Sequence, residues 1–176
     1  MEKYIKWVLY AYPSVKELVK GYEEHIENCA VLSYRGNRTA EETALYLAEE
    51  ILEKRRLEWL VSCVEEVLDK LSDMEKLLVQ IRYFGKERKI KKRILPVREK
   101  GYENWSESKY FRIQNRLGIK LNALFSALGF TQDVFEREYL DNEIFRRVKR
   151  LMEKKEDNKI HNNERAWLRF ESNLKT

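Results

Sequence analysis

Proline and glycine are scarce, two and six among 176 residues. A sandwich or barrel of many short strands needs Gly/Pro-rich turns at close intervals, so this scarcity points away from β architecture and toward an all-α fold. No apolar run approaches the roughly 18 residues of a membrane span. The opening Met-Glu-Lys-Tyr lacks the basic, apolar and small-residue blocks of a secretory signal, which makes the cytoplasm the expected compartment. There are two cysteines. Cys29 and Cys63 both fall on apolar stripes of expected helices and read as buried thiols, not as a disulfide or metal ligands. His25 lies beside Glu23, Glu24 and Glu27, but no Cys-x-x-Cys, His-Glu-x-x-His or matching second histidine accompanies it, and His161 sits in a polar stretch. No metal site is expected. A glycine-rich phosphate loop and a nucleophile elbow are both missing, and acidic pairs such as Glu41-Glu42 and Glu65-Glu66 belong on solvated helix faces. The chain is therefore not expected to be an enzyme or to carry a cofactor.

What is present is charge, unevenly placed. The chain has 35 Lys and Arg against 30 Asp and Glu, a surplus of five. Residues 86 to 100 alone hold Lys86, Arg88, Lys89, Lys91, Lys92, Arg93, Arg98 and Lys100 against Glu87 and Glu99, a surplus of six, so everything outside that window sums to minus one. Such a block attracts polyanions through counterion release, and nucleic acid is the expected partner. The alternative is a solvated loop. A membrane surface fits less well, because the block has no large apolar face. With 43% hydrophobic residues the chain can bury a core, and its length suits one sizeable domain or a compact domain with helical extensions.

Along the chain, Met1 to Tyr12 carries Tyr4, Trp7, Tyr10 and Tyr12 in a short helix-like segment expected to lie on the core as a lid. Pro13 marks a break, after which Ser14 can cap a helix through Val15, Leu18, Tyr22, Ile26 and Cys29. A turn falls at Tyr34-Arg-Gly-Asn. Thr39 with Glu42 forms a capping box that opens a long helix, with Leu45, Ala48, Leu52, Trp59, Cys63, Val67 and Leu71 as its apolar stripe. Arg55 interrupts that stripe, at a bend or by snorkelling. The two helices read as an antiparallel hairpin. Thr131 or Asp133 can cap a helix carrying Val134, Phe135, Tyr139, Ile144, Phe145, Val148, Leu151 and Met152. Glu153 to Asn163 is polar and reads as loose or a hinge. Ala166, Trp167, Phe170 and Leu174 suggest a last short helix.

The stretch from Leu71 to Gly129 is the most informative. Ser72 with Glu75 is a second capping box. Ser106 precedes Tyr110, Ile113, Leu117, Leu121, Leu124 and Leu128, one apolar stripe at steps of three or four, and that helix should run to about Ala127 with Gly129 as its stop. At 100° per residue the opposite side carries Ser108, Phe111, Arg112, Asn115 and, at its edge, Arg116. Hydroxyl, amide and guanidinium groups read base edges and phosphates, and an outward aromatic can contact a thymine methyl or stack. A short helix, a basic connection and a second helix with this face fit a helix-turn-helix reader. They fit equally a helical hairpin whose outer face is merely solvated.

Leu71 to Gly85 resembles the helix that opens region four of bacterial sigma factors and of related phage transcription regulators, through Leu71, the Ser72 cap, Glu75 and the Arg82-Tyr83-Phe84 ending. Trp105 to Leu121 is similar to that family's last helix, with its serine-rich cap, arginine and leucine stripe. The likeness covers about a third of the chain. One departure concerns the short first helix of the motif, which in the family follows the aromatic pair. Here the basic stretch Gly85 to Gly101 stands instead, and Pro96 disfavours a helix crossing it. The resemblance implies a helix-turn-helix, with 71–129 as the DNA-binding domain; the helical hairpin then makes residues 1–70 an N-terminal support region, and 130–176, which has no counterpart in that family, a C-terminal helical arm. It implies a sequence-specific transcription regulator of phage type that contacts double-stranded DNA through Lys86, Arg88, Lys89, Lys91, Lys92, Arg93, Ser108, Lys109, Phe111, Arg112, Asn115 and Arg116. RNA polymerase is a further candidate partner, and a second copy of the chain could join through the C-terminal arm. No counterpart of the sigma region that melts promoters is recognisable, so a regulator or accessory factor fits better than a complete sigma factor. The rival reading is a non-enzymatic helical interaction module whose basic patch neutralises an acidic partner.

Overall fold

The computed structural model describes residues 1–34, 39–85 and 106–154. Every regular element among them is helical. Helix α1 spans Lys3–Tyr34, α2 Ala40–Asp69, and α3 Asp73–Val79, which continues directly into a π-helical turn at Gln80–Phe84. Helix α4 spans Glu107–Ala127 and α5 Gln132–Glu138. A last helix, α6, runs from residue 143 to the end of the described chain at 154.

Local hydrogen-bonding chemistry sets the boundaries. At the start of α2 the Thr39 hydroxyl accepts from Glu42 N–H at 3.2 Å while the Glu42 carboxylate accepts from Thr39 N–H at 2.8 Å. Ser72 and Glu75 repeat this reciprocal pair at α3, at 3.4 and 2.9 Å. The Ser106 hydroxyl accepts from Lys109 N–H at 3.2 Å and Thr131 from Val134 N–H at 3.4 Å. Each cap satisfies a donor that helix geometry leaves orphaned, and its loss costs about 0.5 to 2 kcal/mol. Helix α4 ends where Gly129 takes φ 74°. There Gly129 N–H donates to Ser126 O and Phe130 N–H to Phe125 O, both at 3.0 Å. The Phe125 and Phe130 rings lie 5.6 Å apart across this Schellman turn.

Two expectations are corrected. Pro13 does not break the chain but lies inside α1. An internal proline forfeits a hydrogen bond and costs about 3 kcal/mol. Here Ile5, Val8, Leu9 and Val15 on both sides of it are fully buried, and burying aliphatic side chains at about 1.5 to 3 kcal/mol each outweighs that cost. The aromatic N-terminal segment is thus the middle of the core and not a lid on it. The helix expected from Thr131 to Met152 is in fact two. Asn142 interrupts it, its side-chain oxygen accepting from Ile144 N–H at 3.0 Å and its carbonyl from Arg146 N–H at 3.0 Å. The polar stretch from residue 155 onward and the last short helix expected at 166–174 lie outside the described residues.

One hydrophobic cluster joins all these helices, from Tyr4 in α1 through Val64 in α2, Leu78 in α3 and Leu121 in α4 to Phe145 in α6. Phe130 is its aromatic hub, with the rings of Tyr4, Trp59, Phe125, Phe135 and Tyr139 at 5.6 to 6.4 Å. The Tyr4 hydroxyl donates to the Phe130 carbonyl, and that of Tyr139 to the Arg56 carbonyl at 2.8 Å. Helices α1 and α2 form the expected antiparallel hairpin: Tyr12 meets Glu65, His25 meets Glu50, and Cys29 meets Tyr46. Only one end of it enters the core. Among the described side chains, Val15 is the last fully buried one of α1 and Leu57 the first of α2. Toward the other end Leu45 and Leu52, expected in the seam, are exposed.

Candidate nucleic-acid interface

Helix α4 holds its two faces apart. Tyr110, Leu117, Leu121 and Phe125 are buried in the common core. Between them sits Gln114, buried to 4% exposure although polar. Its side-chain N–H donates to the Leu78 carbonyl and the Tyr110 hydroxyl, both at 3.4 Å, and its oxygen accepts from Arg82 Nη1 at 2.9 Å. One turn and a half later Lys120 pairs with Glu75 at 2.6 Å. These two ties bind α4 to α3 and the π turn and fix its rotation about its own axis. Burial pushes the Glu75 carboxyl up, but hydrogen bonds from Lys120 and Ser72 more than offset this and leave it below the ordinary carboxylate range.

With the inner face so fixed, Ser108, Phe111, Arg112, Asn115 and Arg116 all face solvent. Lys109 sits half-buried at the edge. Arg112 and Arg116 have no ion-pair partner among the described residues, so Glu107, five positions before Arg112, does not neutralise it. The Phe111 ring is held edge-on to Tyr110 at 5.7 Å while half of it stays exposed. Ile119, 70% exposed, extends the same face. In the sequence the polar residues of this face end at Arg116, although steps of four, three and four from Ser108 through Arg112 and Asn115 lead to Ile119. Gln114 is hidden for the opposite reason: an amide gives no apolar signal, and two of its three partners lie 32 and 36 residues away. The basic positions Lys86, Arg88, Lys89, Lys91, Lys92 and Arg93 lie outside the described residues, as does the place of the first helix of a helix-turn-helix.

The two thiols differ. Cys63 is buried, and burial pushes its thiol up. Cys29 is only partly buried, contrary to expectation, with Sγ 3.6 Å from His25 Nε2 and 3.8 Å from the Tyr46 hydroxyl. The hairpin tapers away from the core there, so an apolar-stripe position is not a core position. Among the described residues no group of three or more His, Cys, Asp and Glu could hold a metal ion, and no helix is long and apolar enough to cross a membrane.

Comparison with protein-family models, curated proteins and solved structures finds no match.

Proposed function

We propose that this chain is a sequence-reading, double-stranded DNA-binding regulator of transcription, similar to phage regulators with a sigma region-four-like domain. The observation that carries this reading is the outward face of α4. Serine, asparagine, two arginines and a half-exposed phenylalanine stand together there on a helix whose roll is fixed from behind, and residues 86–100, shortly before that helix in the chain, carry a surplus of six positive charges. Helix α4 would enter the major groove, where an arginine can bond a guanine bidentately, and the basic segment would supply sequence-independent affinity from phosphates. RNA polymerase as a second partner, and pairing of two chains through residues 130–176, belong to the same proposal.

The test is selection from random duplex pools, followed by measuring the preferred and a random duplex across salt concentrations. A preferred sequence should emerge, and neutralising Lys89, Lys91, Lys92 and Arg93 together should weaken both duplexes and flatten the salt slope by about 0.9 for each phosphate no longer neutralised. Absence of duplex binding even at low salt would sink the reading. A second reading, a protein-interaction module, is favoured by the leucines left exposed along the outer half of the hairpin, Leu32, Leu45 and Leu52. It predicts weak, sequence-blind DNA binding that the exposed leucines do not influence.

A further inference from the structure

Where the first turns of α1, the π turn and the middle of α4 meet, they enclose a cleft of about 270 Å³ that Lys6, Arg82, Gln114, Asn115 and Ile119 help to line. Among the described residues no carboxylate lines it. Of the other partly buried lysines, Lys54 pairs with Glu58, Lys76 with Asp69 and Lys120 with Glu75, while Lys149 lies 5.7 Å from the Trp7 ring centre. Lys6 and Arg82, both partly buried, have none among the described residues. Arg82 spends one donor on the neutral Gln114 oxygen at 2.9 Å and lies 5.5 Å from the Tyr83 ring centre. A guanidinium has five donors in a fixed fork, so most of it is unspent. The π turn, closed by Gly85 N–H donating to Gln80 O at 2.8 Å, brings Arg82 to Gln114 and Tyr83 to Tyr10 and Met1 at once. Such irregular turns recur at functional sites.

From these observations we infer that the cleft is a phosphate-binding site, with Lys6 and Arg82 as its charges and the Asn115 amide as a neutral donor. An arginine fork, an ammonium and an amide that line one cleft, with no carboxylate among its described lining residues, suit a tetrahedral oxyanion with several acceptor oxygens. Asn115 and Ile119 are exposed and belong to the outer face of α4. The cleft therefore opens where a strand's phosphates would run beside a groove-bound helix. The assignment of the phosphate to DNA rests on the proposed function; the site itself does not.

Two titrations separate these. In the first, the full chain is titrated with millimolar pyrophosphate and followed by NMR of the side-chain amide signals of Gln114 and Asn115. Both should shift, and Lys6→Gln should weaken the response about tenfold, the scale of one hydrogen bond to a charged group. Because Arg82 also holds Gln114, Lys6→Gln is the decisive variant, and its melting temperature should match that of the parent. Absence of a shift, or a shift that Lys6→Gln leaves intact, overturns the site. In the second, duplex binding is measured across salt: if the phosphate is DNA's, Lys6→Gln lowers the slope by about 0.9. A pyrophosphate response with an unchanged slope assigns the cleft to a free phosphate compound. A pyrophosphate response without any duplex binding keeps the cleft and refutes the DNA reading.

Discussion

Arg112 and Gln114 stand two residues apart on α4 and do opposite work, one facing water and the other buried in the core. If Arg112 reads a base, Arg112→Ala should cost about 1 to 3 kcal/mol on the preferred duplex and much less on a random one. Equal losses on both would make it a phosphate contact, and loss of discrimination only on changing Phe111 or Arg116 would mean the helix is rolled in the groove. Gln114→Leu should instead act on stability. It removes the acceptor for Arg82 and a donor to the Leu78 carbonyl, and leaving such groups unpaired costs about 1 to 3 kcal/mol. Urea unfolding measures this, and a variant as stable as the parent would show that the amide does not hold α4. Arg112 and its neighbours are legible in the sequence because outward faces follow from helical periodicity alone. Gln114 is not, because its burial is decided by residues distant in the chain.

At the scale of single helices, the ends are legible and the interiors less so. Thr39, Ser72, Ser106 and Gly129 act on their own backbone neighbours within a few residues, so four residues of sequence contain the whole cause. Pro13 misleads because its penalty is local while its compensation, the burial of Ile5, Leu9 and Val15, is not. The inner stripe of α4 follows periodicity, and Leu121, 1% exposed, tests it. Leu121→Ala should cost roughly 2 to 5 kcal/mol in an equilibrium melt. The contact of α4 with α3 is sensitive to pH. Glu75 titrates below its unfolded value, so the stability it contributes is fully present above about pH 4.3 and is lost as pH falls through the lower folded value. Glu65 and Glu138 shift the same way, so Glu75→Gln should make the acid decline of the melting temperature shallower without abolishing it. A parallel, unsoftened decline would show that the Lys120 pair contributes nothing. With 41% of the Lys120 side chain exposed, water screens much of that pair.

Over the whole molecule, residues from 1–70, 71–129 and the stretch after 129 share one hydrophobic cluster. They should therefore unfold together, while the outer half of the hairpin, with Val31, Leu32 and Leu45 more than half exposed, should open first. Amide exchange near residues 28–32 and 42–50 should be faster than at Leu60 to Val67, by a factor reflecting local opening. Uniform protection along α1 and α2 would mean that something covers those leucines.

The Tyr4 to Phe130 contact has a consequence in time. The hydroxyl of the first ring bonds a carbonyl 126 residues further along the chain. During synthesis, at about 5 to 20 residues per second, the N-terminal half of α1 emerges on the order of ten seconds before the aromatic residues that will bury it. For that interval Tyr4 and Trp7 lack the rings of Phe130 and Phe135 they will pack on, whereas Tyr10 and Tyr12 meet Tyr83 and Phe84 sooner.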